Sequence, residues 1–365
     1  MRYAIWIAAA CVLLMGCAGK PLQPFSVDTA PLVLVPAADA GVVDQRARFR
    51  EIFCAVLAGH GASLPDFRPC EEALTRLGAE AAGTGAPVYL GPAKRSLVAM
   101  VVPGIGYDCF APWLEAPGTV ATHLRTQGYD AVPIKVDALS GSEHNAQQIR
   151  DALLALPQEQ GAPRIVLIGY SKGAPDIMEA LASYPEIRGR IAAFVSAAGA
   201  VGGSALANDA TENQVNMLQH FPGAKCEPGD GKSVESLRPA TRRKWLGEHT
   251  LPPGIPYYSL VTLPQPERIS RALGSSYKKL SRIDGRNDSQ VIFYDQVIPG
   301  SSLLGYVNAD HWALAVPIAR VHTTVASLLV TQNDYPREAL LESILRFVEE
   351  DLAAHSSGVV APVKQ

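Results

Sequence analysis

A serine with a glycine two places to either side, Gly169-Tyr170-Ser171-Lys172-Gly173, is the group in this chain best suited to covalent chemistry. It follows the apolar run Ile165 to Ile168 and precedes APDIMEALASY, whose apolar residues recur at helical spacing. A serine at such a strand-to-helix turn has its hydroxyl lifted clear of the backbone, because flanking glycines let neighbouring main chain come close without a Cβ. The next amide, that of Lys172, then lies at a helix start, where an anion is favoured. A hydroxyl attacks a carbonyl only when a base takes its proton, so a histidine and a group to orient it are required. Of eight histidines, His60, His144, His220, His249 and His355 stand in polar or loop-like contexts, His322 starts a late helix and His123 lies on a helix. His311, in GYVNADHWALAVP, follows a short strand-like piece late in the chain, where the order serine, acid, histidine places the base. Two acids precede it, each heading a turn: Asp288 in DSQV and Asp295 in DQVIP. Asp310 adjoins the histidine and reads as a loop cap.

The elements needed to hold these residues are visible as short apolar runs, LVAMVV (97 to 102), AVPIKV (131 to 136), RIVLIG (164 to 169) and IAAFVSA (191 to 197). They alternate with helical stretches such as SEHNAQQIRDALLAL. Strands that are apolar on both sides and separated by helices predict an α/β fold, with a mostly parallel sheet covered on both faces. Upstream, helical patterns run over Asp44 to Leu57 and Glu71 to Leu77, with Val43, Phe49, Ile52, Phe53, Val56 and Leu57 expected to pack.

With 365 residues, 48% of them hydrophobic, the chain can bury a full-sized core, and a net charge of −3 without blocks of like charge excludes a nucleic-acid footprint. The start, MRYAIWIAAACVLLMGCAGK, has one basic residue and an apolar run too short for a full membrane span, as in a signal peptide. Its LMGC resembles the bacterial lipoprotein lipobox, which implies cleavage before Cys17, lipidation of that thiol and a location at the cell envelope. Cys54, Cys70, Cys109 and Cys226 then remain in an oxidising compartment, where four thiols allow three pairings; Cys54 with Cys70 is the nearest. No CxxC or HxxxH occurs, so no structural metal is expected.

GYSKG, VSAAGAVGGSALAN (195 to 208), YYSLVT (257 to 262) and NDSQV, with 23 residues from Asp288 to His311, together resemble an α/β-hydrolase of the bacterial secreted lipase type over about residues 97 to 350. In those enzymes a GHSxG elbow is followed by a GS loop, a lid, a YSW-type strand, NDGxV and the histidine. The resemblance favours Asp288 over Asp295 as the acid. It implies an oxyanion hole from the amide of Lys172 and that of Ile105 or a neighbour, with Pro103-Gly104-Ile105-Gly106 replacing the usual His-Gly. The family's calcium site is not carried over, because no matching pair of aspartates follows the histidine.

The expected layout is a signal peptide (1 to 16), a lipidated tether (17 to 41), an N-terminal helical extension bracing the sheet edge (42 to 94), a catalytic domain (95 to 350) with a lid-like insertion (208 to 253), and a flexible tail (351 to 365). The expected function is hydrolysis of small-molecule or lipid carboxylic esters without a cofactor. Acyl transfer or thioester cleavage by the same residues, or a non-catalytic binding scaffold, are the alternatives.

Overall fold

The structure, a computed structural model, describes residues 37 to 114, 119 to 157, 161 to 220 and 224 to 356. The signal peptide and Cys17 lie outside the described residues, as does most of the tether.

The strands are β1 (Val43–Asp44), β2 (Leu74–Thr75), β3 (Leu97–Val102), β4 (Asp130–Pro133), β5 (Arg164–Tyr170), β6 (Ile191–Ala197), β7 (Tyr257–Thr262) and β8 (Ser302–Val307). They form one sheet in the order β1-β8-β7-β6-β5-β3-β4, parallel throughout, with β2 added antiparallel to β8. The helices that matter here are α1 (Arg46–His60), α2 (Tyr107–Leu114), α3 (Thr119–Thr126), α4 (Ser142–Leu154), α5 (Gly173–Ser183), α6 (Pro239–Glu248) and α7 (Arg337–Ser356). Because side chains alternate along a strand, β5 serves two cores at once. Val166, Ile168 and Tyr170 join Phe49, Phe53 and Leu57 of α1 and Leu345 and Val348 of α7 on one face. Ile165 and Leu167 join Ile149 and Leu153 of α4 and Ile177 and Leu181 of α5 on the other. Burial on both faces is why four apolar residues stand in a row. The expected α/β-hydrolase architecture is present.

Several boundaries differ from the sequence reading. The first helix is Arg46–His60, with Asp44 paired to Leu303 in β1, so Val43 is 52% exposed instead of packed. The second pattern is helical only over Cys70–Ala73; Leu74 and Thr75 then pair with Val307 and Tyr306 of β8. Ladder bonds from a strand more than two hundred residues away override a local helical preference. The extension is therefore part of the sheet itself. At the other end α7 continues through Ser356, with Leu352 buried, so the tail does not begin at 351. Cys54 is bonded to Cys70, and Cys109 to Cys226.

Candidate active site

Ser171 sits between β5 and α5 with φ +54°, a left-handed conformation that costs a non-glycine residue about 1 kcal/mol or more. The turn is held by its surroundings. Ser171 N–H donates to the Ala197 carbonyl at 3.2 Å, and the Ser171 carbonyl accepts from Ala174 at 3.2 Å and Ala200 at 3.0 Å. The glycines answer to specific neighbours: a Cβ on Gly169 would lie 2.6 Å from Ala174 Cα, and one on Gly173 2.7 Å from the Pro103 carbonyl oxygen. On the opposite wall a Cβ on Gly104 would come within 2.9 Å of Ser171 Cβ, so the loop after β3 crosses directly over the serine.

His311 begins a short helix, His311–Ala315, just after β8, and Asp310 caps it by accepting from Ala313 N–H at 2.9 Å and from Ser270 N–H at 2.8 Å. His311 Nε2 lies 2.8 Å from Ser171 Oγ, and Nδ1 lies 2.7 Å from Asp288 Oδ2. An ionised carboxylate only accepts, so the neutral imidazole carries its proton on Nδ1 and offers the Nε2 lone pair to the hydroxyl. Asp288, fully buried, accepts from the Gln290 and Val291 amides at 2.9 and 2.8 Å on Oδ1. Its Oδ2 also accepts from Thr262 Oγ1 and from Gln296 Nε2, the latter at 3.3 Å. Tyr170 donates its hydroxyl to the His311 carbonyl at 2.6 Å while its ring lies 5.1 Å from the imidazole. Burial holds that phenol well above its ordinary pKa, so it remains a donor. Thr262, Gln296 and Tyr170 escaped the sequence reading, because nothing in their spacing ties them to Asp288 or His311.

Asp295, the other candidate acid, is not on the imidazole. It lies in the turn Phe293–Gln296 beside Gly202, and burial, opposed by Arg243, pushes its carboxyl up to about 7. In the loop after β3, Gly106 N–H donates to the Ala138 carbonyl at 3.2 Å, whereas the amides of Ile105 and Lys172 have no acceptor among the described residues. The Lys172 side chain points into the protein: Nζ bonds both oxygens of Asp176 at 2.8 Å, and Asn145 donates to Asp176 at 2.7 Å. This buried ion pair fixes the first turn of α5 from within and places no cation at the serine.

The 208 to 253 insertion packs on the same loop. Ile105 is packed against Ala207, Val234, Leu237 and Val291. The Cys109–Cys226 disulfide and a bond from Lys225 N–H to the Cys109 carbonyl at 2.9 Å tie the insertion to α2, which begins immediately after Gly106.

No protein-family model and no curated protein matches the chain. Among solved structures, the metagenomic carboxyl esterase MGS0156 is 40% identical with a TM-score of 0.83, covering 88% of this chain and 97% of that one. The mature lipase BlEst2 of Bacillus licheniformis is 21% identical with a TM-score of 0.49, over 67% of this chain and 93% of its own. The Staphylococcus hyicus lipase is 11% identical with a TM-score of 0.49, over 74% and 100%. On the strength of the 40% match over nearly all of both chains, this protein is a member of the α/β-hydrolase carboxyl esterase family to which MGS0156 belongs.

Proposed function

We propose that the protein hydrolyses carboxylic esters through an acyl-enzyme, with Ser171 as nucleophile, His311 as base and then acid, and Asp288 as the orienting carboxylate. The observation that carries this reading is the unbroken chain Ser171 Oγ to His311 Nε2 to Asp288 Oδ2, at 2.8 and 2.7 Å. Ser171 Oγ bonds to the ester carbonyl carbon while its proton passes to Nε2. The resulting imidazolium is stabilised by Asp288, which stays ionised. The amides of Ile105 and Lys172, without another acceptor among the described residues, hold the oxyanion, a contribution of about 3–4 kcal/mol per donor. As the C–O bond to the alcohol breaks, Nε2 returns the proton to the departing oxygen. Water repeats the sequence on the acyl-serine and releases the acid, leaving Ser171 protonated. Asp295 takes no part.

The insertion from 208 to 253 serves in this reading as the lid over the oxyanion loop, and Cys17 as the lipid anchor at the bacterial envelope. Support for the anchor comes from the short apolar start ending in Gly16-Cys17 and from two disulfides, which suit an oxidising compartment.

The experiment is hydrolysis of a p-nitrophenyl ester series by the mature chain, with acid-quenched samples mapped for an acylated peptide. Acyl groups on the Ser171 peptide are expected; undiminished turnover by Ser171→Ala would refute the assignment. For the anchor, incorporation of a labelled fatty acid in cells should disappear in Cys17→Ser, and equal incorporation would refute it.

A further inference from the structure

Away from Ser171, three side chains from distant parts of the chain converge on one point. They are His60 at the end of α1, His123 on α3 and Glu342 on α7. His60 Nε2 lies 2.9 Å and His123 Nε2 lies 2.6 Å from the same oxygen, Glu342 Oε2, and the three atoms fall within 4.8 Å of one another. The two imidazoles meet edge to face, with centroids 4.8 Å apart. Glu342 is fully buried, and its second oxygen, Oε1, accepts from Arg346 Nε at 2.6 Å. Arg346 in turn donates to the carbonyls of Tyr89, Leu90 and Gly91, which fixes the guanidinium and hence the carboxylate. The carboxylate charge is already matched by Arg346, so the two histidines are not needed as counter-charges. What they add is a pair of imidazole nitrogens aimed at one point.

We propose that His60, His123 and Glu342 form a zinc site that clasps the N-terminal extension and α3 to α7, with water as the fourth ligand. Two imidazole nitrogens and one carboxylate oxygen suit zinc, whereas calcium and magnesium take six or more oxygen ligands. Tetrahedral zinc, with bonds of about 2.0–2.1 Å, holds neighbouring ligand atoms about 3.3 Å apart. From 2.9 and 2.6 Å, the two nitrogen–oxygen separations therefore widen by about 0.4 and 0.7 Å, within reach of side-chain rotation. Each imidazole turns an Nε2 lone pair to the ion when its ring proton sits on Nδ1. Arg346 is the outer partner that keeps Glu342 bound through one oxygen. The His60 side chain, 24% exposed, leaves an entry path from solvent. Sequence spacing gives no hint of the site, since its ligands lie far apart in the chain and none belongs to a short motif.

The test uses the full mature chain without a histidine tag, stripped with EDTA and titrated with Zn²⁺ by calorimetry, with metal content and thermal melting read in parallel. The result expected is about one zinc per chain, a melting temperature raised by Zn²⁺ but not by Ca²⁺ or Mg²⁺, and binding weakened at least about 10–100-fold in His60→Ala and in His123→Ala. Circular dichroism establishes that each variant is folded, and the two histidines are tested separately so that a folding failure in one leaves the other informative. Absence of stoichiometric zinc, or equal zinc affinity in wild type and either folded variant, would overturn the proposal and leave the cluster as a hydrogen-bonded clasp.

Discussion

Asp295→Asn should stabilise the protein above neutral pH while leaving ester turnover near the wild-type rate. The half-buried carboxyl has no hydrogen-bond partner among the described residues, and burial, opposed by Arg243, lifts it from 3.8 to about 7. A carboxyl whose pKa rises on folding holds a proton that the unfolded chain releases. Its contribution to stability is therefore full below about pH 4, declines through the interval up to about pH 7, and is flat above it. At about 1.4 kcal/mol per unit, the whole decline is on the order of 4 kcal/mol, of which roughly 2–3 kcal/mol falls between pH 5 and pH 8. Asparagine cannot ionise, so the advantage of the variant over wild type should grow by that amount between the two pH values. In a chain of this size the growth corresponds to a melting-temperature difference on the order of 5 °C. Urea and thermal unfolding at pH 5 and pH 8, at fixed ionic strength, read it directly. A stability difference that is constant with pH, or that shrinks from pH 5 to pH 8, would refute the reasoning. A fall in turnover of about a thousandfold would show instead that Asp295 orients the imidazole.

Asp288→Asn should lower kcat by about 10³–10⁴-fold with the fold retained, because an amide on Nδ1 no longer selects the required tautomer; a loss under about tenfold in ester turnover would contradict the assignment. Lys172→Ala leaves Asp176 buried with Asn145 as its remaining partner, and should cost about 3–5 kcal/mol by urea denaturation. Adding Asp176→Asn should recover much of that loss, whereas simple addition of the two losses would contradict the ion-pair account. The Cys109–Cys226 bond spans 117 residues and Cys54–Cys70 spans 16, so chain entropy predicts losses of about 4–5 and about 3 kcal/mol on paired replacement by serine. Denaturant midpoints showing the reverse order would contradict it.

What was legible in the sequence was what local sterics encode. Gly169 and Gly173 are glycines because Ala174 and the Val102–Pro103 carbonyls occupy the space of a side chain, so the turn around Ser171 was visible as a pattern. His311 is legible from the order of residues, and Asp310 as a cap from its place next to the histidine. The two acids were harder to separate, since Asp288 and Asp295 both head turns. What distinguishes them is non-local: Thr262 and Gln296 converge on Asp288, while Asp295 faces Gly202. Lys172 follows the nucleophile with Asp176 four residues on, and that i, i+4 pairing is a readable signal for the buried ion pair. Strand β2 was not readable: two residues carry no periodicity, and their pairing depends on the edge of β8. The cluster of His60, His123 and Glu342 was hidden for the same reason, its residues meeting only after α1, α3 and α7 pack together.

The most direct test of the central claim is labelling of the chain beginning at Ala18 with a fluorophosphonate probe, comparing wild type with Ser171→Ala and His311→Ala. Labelling of wild type at Ser171, abolished in the first variant and strongly slowed in the second, is the predicted result. A folded wild-type protein that does not label, or labelling that persists in Ser171→Ala, would contradict it.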